Sequence, residues 1–131
     1  MDNRKTGKSI VIETDTLDVS LAKQGSPIVN IIKMDIEGAE SIAIDGMKET
    51  INRSPRLAMF TEFYPKGIKR FGREPLGYLK KLQGFGLTLF IIDEDVKKLT
   101  PLPPQNFEGF IKSFSSKAEP VKNIYAVKNL R

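Results

Sequence analysis

A run of β-branched residues that breaks into alternating charge around a single glycine constrains this chain more than any other stretch. Residues 28–32 read Ile-Val-Asn-Ile-Ile, and Lys33-Met34-Asp35-Ile36-Glu37-Gly38-Ala39-Glu40 follows. A short apolar run of this kind predicts a buried strand, parallel to its neighbour and covered on both faces. A strand that gives way to polar residues, a glycine and then helical spacing is the working edge of an α/β unit. Ligands in open α/β sheets bind beyond the carboxyl ends of such strands. Lys33, Asp35 and Glu37 alternate, so they share one face if the strand runs that far. A solvated strand end, with Asp35 and Glu37 capping the turn and the helix after Gly38, is the alternative reading of the same residues.

The flanking pattern supports an α/β chain. Residues 9–13 (Ser-Ile-Val-Ile-Glu) read as a short strand, and Asp15 or Thr16 can cap a helix over 17–23. Gly25-Ser26-Pro27 ends that helix. After Gly38, residues Ala39, Ile42, Ala43, Met47 and Ile51 fall at helical spacing, with Asp45, Lys48, Glu49 and Asn52 elsewhere on the wheel. Glu40 sits in the first turn, where a negative charge suits the helix dipole. Ser54-Pro55 closes the helix, and residues 57–63 are the next strand, ending near a second carboxylate, Glu62. Tyr64-Pro65-Lys66-Gly67 reads as a loop. Pro75 opens another helix with Leu76, Leu79 and Leu82 inward, and Gly84 and Gly86 stand at its end. Residues 87–92 form a third core strand. Phe107, Phe110, Ile111 and Phe114 mark a short helix on the sheet or, less favoured, a hydrophobic lid. Residues 123–128 are a last strand, with an antiparallel neighbour because little helix precedes it.

Composition then excludes whole classes of chemistry. With 131 residues the chain is one domain by length. It has no histidine and no cysteine, which removes Ser-His-Asp and Cys-His catalysis, thiolate sites and disulfides. Proton transfer is left to carboxylates, Lys, Tyr or water, and a metal would need oxygen ligands. Lack of cysteine fits a reducing compartment, so a cytoplasmic location is expected. No apolar run reaches the roughly 20 residues that span a bilayer. The net charge is +5, and Lys66, Lys69, Arg70, Arg73, Lys80 and Lys81 against Glu74 alone match that surplus. That patch reads as a solvated surface, with contact to an anionic substrate or a lipid headgroup as the alternative. It carries no nucleic-acid reader motif.

The order of these pieces resembles the FkbM family of S-adenosylmethionine-dependent methyltransferases. The resemblance rests on Thr16-Leu17-Asp18, on the block from Ile32 through Glu40, and on Gly46 in the following helix. Glu62 fits a carboxylate after the next strand, with Pro65 shortly behind, and Gly84-Phe85-Gly86-Leu87 fits a Gly-aromatic turn before a later strand. It covers about residues 10–95. It implies a class I methyltransferase (Rossmann-like) α/β sheet of parallel strands with an antiparallel C-terminal strand and helices on the faces. It also implies O-methylation of a hydroxyl on a sugar or natural product. In that family a Gly-rich loop after the first strand cradles the cofactor, and this sequence has no such segment. Gly7-Lys8-Ser9 is too short. The expectation is therefore one truncated domain over residues 1–131, the C-terminal half of the fold, without the N-terminal cofactor-binding strands and with little activity by itself.

Asp35, Glu37, Lys33 and Glu62 are the candidate catalytic residues. The carboxylates can accept a hydroxyl proton or bind a cation that acidifies the hydroxyl. Lys33 can hold a carboxylate or meet an anionic substrate group. No metal site and no cofactor contact is assigned. Two other readings stand beside this one. A half sheet exposes an edge, which suits a non-catalytic interaction module or homodimer. Magnesium-dependent phosphoryl transfer ranks last, because no P-loop or second acidic motif is present.

Overall fold

A computed structural model describes residue 7 and residues 9–114 and 121–129. Its centre is a five-stranded sheet of order β1-β2-β5-β3-β4. β1 (Ile31–Met34) runs parallel to β2 (Leu57–Phe63), and β5 (Lys122–Lys128) lies antiparallel between β2 and β3 (Thr88–Asp93). β4 (Lys98–Pro101) pairs antiparallel with the outer side of β3. β1, β2 and β3 therefore share one direction, and the C-terminal strand opposes them.

Alternation decides which side chains reach the core. Ile32 and Met34 of β1, Met59 and Phe63 of β2, Ile124 and Ala126 of β5 and Leu89 of β3 point to one face and are buried there. The helices cover that face. α1 (Leu17–Ala22) packs on α3 (Lys48–Arg53), and Ile44, Met47 and Ile51 bring this group to the core. α4 (Pro65–Arg70) contributes Ile68, α5 (Pro75–Gly84) contributes Tyr78, Leu79 and Leu82, and α6 (Phe107–Lys112) contributes Phe107. Phe63 meets Phe110 and Phe114 at ring distances of 5.2 and 5.5 Å, which seats α6 on the sheet. The opposite face is open among the described residues. Phe60, Tyr125 and Phe90 form an aromatic row across it, with centroids 5.2 and 6.0 Å apart.

Several expectations change. β1 is not buried on both faces: only Ile32 and Met34 are covered, and Ile31 is 68% exposed because no helix lies over that side. Residues 9–13 form no strand. Ile10 and Val11 are 88% and 96% exposed; β propensity alone, with no strand paired to the segment, gives no ladder. The helix after Gly38 is broken into α2 (Glu40–Ala43), a 3₁₀ turn (Ile44–Met47) and α3. The 3₁₀ turn lies against the N-cap of α1: a Cβ on Gly46 would fall 2.9 Å from the Thr16 Cβ. Residues 64–67 are not a loop, because Pro65 occupies the first turn of α4 and is pre-set for it. β4 was hidden in the sequence because every residue of it is exposed and it carries no apolar signal.

Thr16-Leu17-Asp18 acquires a structural explanation. Thr16 caps α1 by accepting from the Val19 amide, and Leu17 packs against the core. Asp18 reaches across to the start of α3, where its carboxylate accepts from the Glu49 amide (3.0 Å), the Thr50 amide (2.8 Å) and the Thr50 hydroxyl (2.7 Å). Burial pushes the Asp18 carboxyl up, but these hydrogen bonds and the Arg53 charge outweigh it and hold it below its ordinary value.

Candidate active site

β1 ends at Met34, so Lys33, Asp35 and Glu37 do not share a continuous strand. The chain turns back through two residues of left-handed backbone, Glu37 at φ 59° and Gly38 at φ 99°. That conformation is uncommon for a residue with a Cβ and is held here by a specific lock. The Glu40 side chain folds back, fully buried, and accepts from the Ile36 amide at 2.9 Å and the Gly38 amide at 2.8 Å. Glu40 stands in the first turn of α2, as the sequence implied. Its carboxylate serves the turn rather than merely complementing the helix dipole. In the turn the Ile36 and Gly38 amides are bonded by Glu40 and not by Asp35 or Glu37, and no side chain caps α2 at Ala39.

A second contact ties this turn to the neighbouring strand–helix junction. A Cβ on Gly38 would lie 2.5 Å from the Gly67 carbonyl carbon, and one on Gly67 would lie 3.0 Å from the Glu37 carbonyl oxygen. Two backbones touch where no side chain fits, so the loop after β1 is docked on α4, which begins three residues after Glu62. The consequence is a convergence of charge. Asp35, Glu37 and Glu62 each present a carboxylate oxygen, all within 4.8 Å of one another. Such spacing suits a shared proton, and a divalent cation would also bridge it.

Asp35 and Glu62 line a crevice of about 290 Å³ together with Lys33, Met34, Phe60, Ile92 and Asn123. Glu62 is half-buried. Desolvation pushes its carboxyl above the ordinary range, and the Asp35 charge, a hydrogen bond with Asp35, and the Glu37 and Glu40 charges push it further. Asp35 and Glu37 are exposed at the mouth. Lys33 is exposed and, among the described residues, forms no ion pair with Asp35 or Glu62. The structure thus brings Asp35, Glu37 and Glu62 together and places Lys33 on the wall beside two of them. Tyr78 does not join this group. Burial raises its hydroxyl far above the ordinary value, and it faces Thr61 in the core at 2.7 Å.

Phe60, Ile92 and Asn123 were not foreseen as site residues. Phe60 could have been read from alternation, since it stands two residues before Glu62 on the same face. Asn123 could not, because it arrives as the antiparallel partner of Glu62 from the far end of the chain. The basic patch over residues 66–81 is partly neutralised. Asp45 pairs with Arg73 (3.2 Å) and with Lys81, and Arg70 lies 6.0 Å from the centre of the Tyr64 ring.

Residues 2–88 match the family model described as Methyltransferase FkbM domain. Searches of curated proteins and of solved structures found no match. Among the described residues, no helix is long and apolar enough to cross a membrane.

Proposed function

Because the chain belongs to the FkbM methyltransferase domain family, we propose that the crevice at the ends of β1 and β2 is the acceptor side of an O-methyltransferase site. The observation that carries this reading is the convergence of Asp35, Glu37 and Glu62 at strand ends where α/β sheets bind ligands. An acceptor hydroxyl becomes a nucleophile when its proton has somewhere to go. Glu62, with its raised proton affinity, receives that proton. Asp35 shares it across the hydrogen bond between them, and Glu37 adds negative charge that favours its retention. Phe60 and Ile92 give the acceptor an apolar wall, while Asn123 and Lys33 offer polar contacts to a hydroxylated substrate such as a sugar or a polyketide-like product.

S-adenosylmethionine is the methyl donor this family implies. Its amino-acid and ribose groups need a strand that enters a helix through a Gly-rich loop with free amides. The described residues do not fit that need. The one comparable turn has its Gly38 amide bonded to Glu40 and its Gly38 Cα face closed by Gly67. We therefore place the donor cradle outside the described residues and treat residues 1–131 as the later half of the domain, from about the fourth strand. The unpaired edge of β1, opposite β2, is where preceding strands would pair. Calorimetric titration with S-adenosylhomocysteine tests this assignment. No heat of binding is expected from residues 1–131 alone, and micromolar binding would overturn the placement of the cradle.

A second reading draws on the same exposed edge. Ile10, Val11 and Ile12 are unpaired, Ile31 is exposed on edge strand β1, and such features favour association with another chain. Light scattering decides it, since a monomer at high concentration would count against an interaction module.

A further inference from the structure

We propose that Glu40 is the positioning residue of the carboxylate group: its buried side chain sets the Glu37–Gly38 turn, and through that turn it decides whether Asp35 and Glu37 face Glu62. The inference deepens the acceptor-site reading and rests on it for its catalytic meaning, but its geometry stands alone. Glu40 is fully buried, yet no cation is paired with it among the described residues. Its charge is stabilised by the two amides it accepts from, at 2.9 and 2.8 Å. Charge-assisted bonds of this kind are the strong ones. They fall on Ile36 and Gly38, the residues flanking Glu37, and so fix the peptide units that aim both neighbouring carboxylates.

These bonds do not match those of an ordinary helix cap. A glutamate that only closed its own helix, as in a capping box, would reach back no further than the N-cap amide, here that of Ala39, which bonds the Ile36 carbonyl instead. Glu40 instead reaches backwards over residues 36–38, outside α2, and spans two amides with one carboxylate. Both oxygens and the full side-chain length are needed. An amide at this position offers one acceptor oxygen, and an aspartate is one methylene too short to bridge both donors.

The test needs neither acceptor nor donor, so it is read independently of any failure of methyl transfer. In the unsubstituted chain the Ile36 and Gly38 amides should exchange slowly with solvent although both lie in a turn; rapid exchange would overturn the proposal without any variant. Glu40→Gln and Glu40→Asp should each speed exchange at these amides by about tenfold or more. Each should also shift the Glu37 carbon resonances away from left-handed values. The titration of Glu62, followed by carbon NMR, separates positioning from mere proximity of charge. Glu62 is faced by Asp35, Glu37 and Glu40, with Lys33 on the same wall. Glu40→Asp keeps the negative charge and breaks the span. If Glu40 positions the group, Glu40→Asp and Glu40→Gln both move the Glu62 midpoint toward that of an ordinary glutamate. If Glu40→Asp leaves it unmoved while Glu40→Gln lowers it, Glu40 is only a neighbouring charge and the proposal fails.

Discussion

Gly38→Ala puts the construction of the site to its hardest test. Two penalties apply at this position. The left-handed backbone at φ 99° costs a residue with a Cβ about 1–2 kcal/mol. The added methyl would lie 2.5 Å from the Gly67 carbonyl carbon and 2.6 Å from its Cα, and this neighbour is backbone that cannot swing aside. Overpacking of that kind costs about 1–3 kcal/mol. Together they give roughly 2–5 kcal/mol. With about 2.1 cal/mol/K of unfolding entropy per residue, a chain of this length loses about 3.6 °C of Tm per kcal/mol, so the drop is about 7–18 °C. Gly72→Ala is the control: its φ is 72°, but nothing lies within 4 Å of the added methyl. It carries the backbone penalty alone, roughly 4–7 °C. Thermal unfolding by circular dichroism measures both. Equal losses in the two variants would refute the backbone contact between the β1 turn and α4, and with it the reason that Asp35 and Glu37 meet Glu62.

Three further perturbations test separate parts of the structure. Glu62 binds its proton more tightly folded than unfolded, so the folded state loses stability as pH rises from about 4.5 through its raised value; Glu62→Gln should match the unsubstituted chain near pH 4 and melt above it at pH 7, and the reverse order would show that the carboxyl is not under strain. Asp18→Asn should lower stability by roughly 2 kcal/mol at neutral pH, because a charged acceptor of two amides and a hydroxyl is lost. Since the Asp18 carboxyl is held below 3.8, that difference should shrink as pH falls through its folded value, measurable by urea unfolding at several pH values. Gly77→Ala, within α5 and with only the Glu74 Cβ at 4.0 Å, should raise stability by about 0.5–1 kcal/mol and Tm by about 2–4 °C.

Local chemistry made much of the chain legible before any contact was known. The apolar run over residues 57–63 became β2 without a shift in its ends, and the helix opened by Pro75 became α5. The carboxylate-bearing turn after β1 also stands where the sequence put it. What failed were segments whose state depends on a partner. Residues 9–13 have strand composition but join no strand, although β1 offers a free edge, and β4 joins β3 without strand composition. Alternation along β1 suggested a shared face for Lys33, Asp35 and Glu37, whereas a left-handed turn brings the two acids round to Glu62.

The sequence by itself determined the α/β order, the positions of the turns and which residue types could carry a proton, because these follow from spacing and side-chain chemistry along a single stretch. Only the tertiary structure decided that Glu40 locks the turn, that Gly38 and Gly67 touch, and that Asn123 stands beside Glu62. The last two join segments 29 and 61 positions apart, and the energy of such a meeting is written in neither segment alone; the Glu40 lock is local, but it depends on a left-handed turn that side-chain spacing does not reveal.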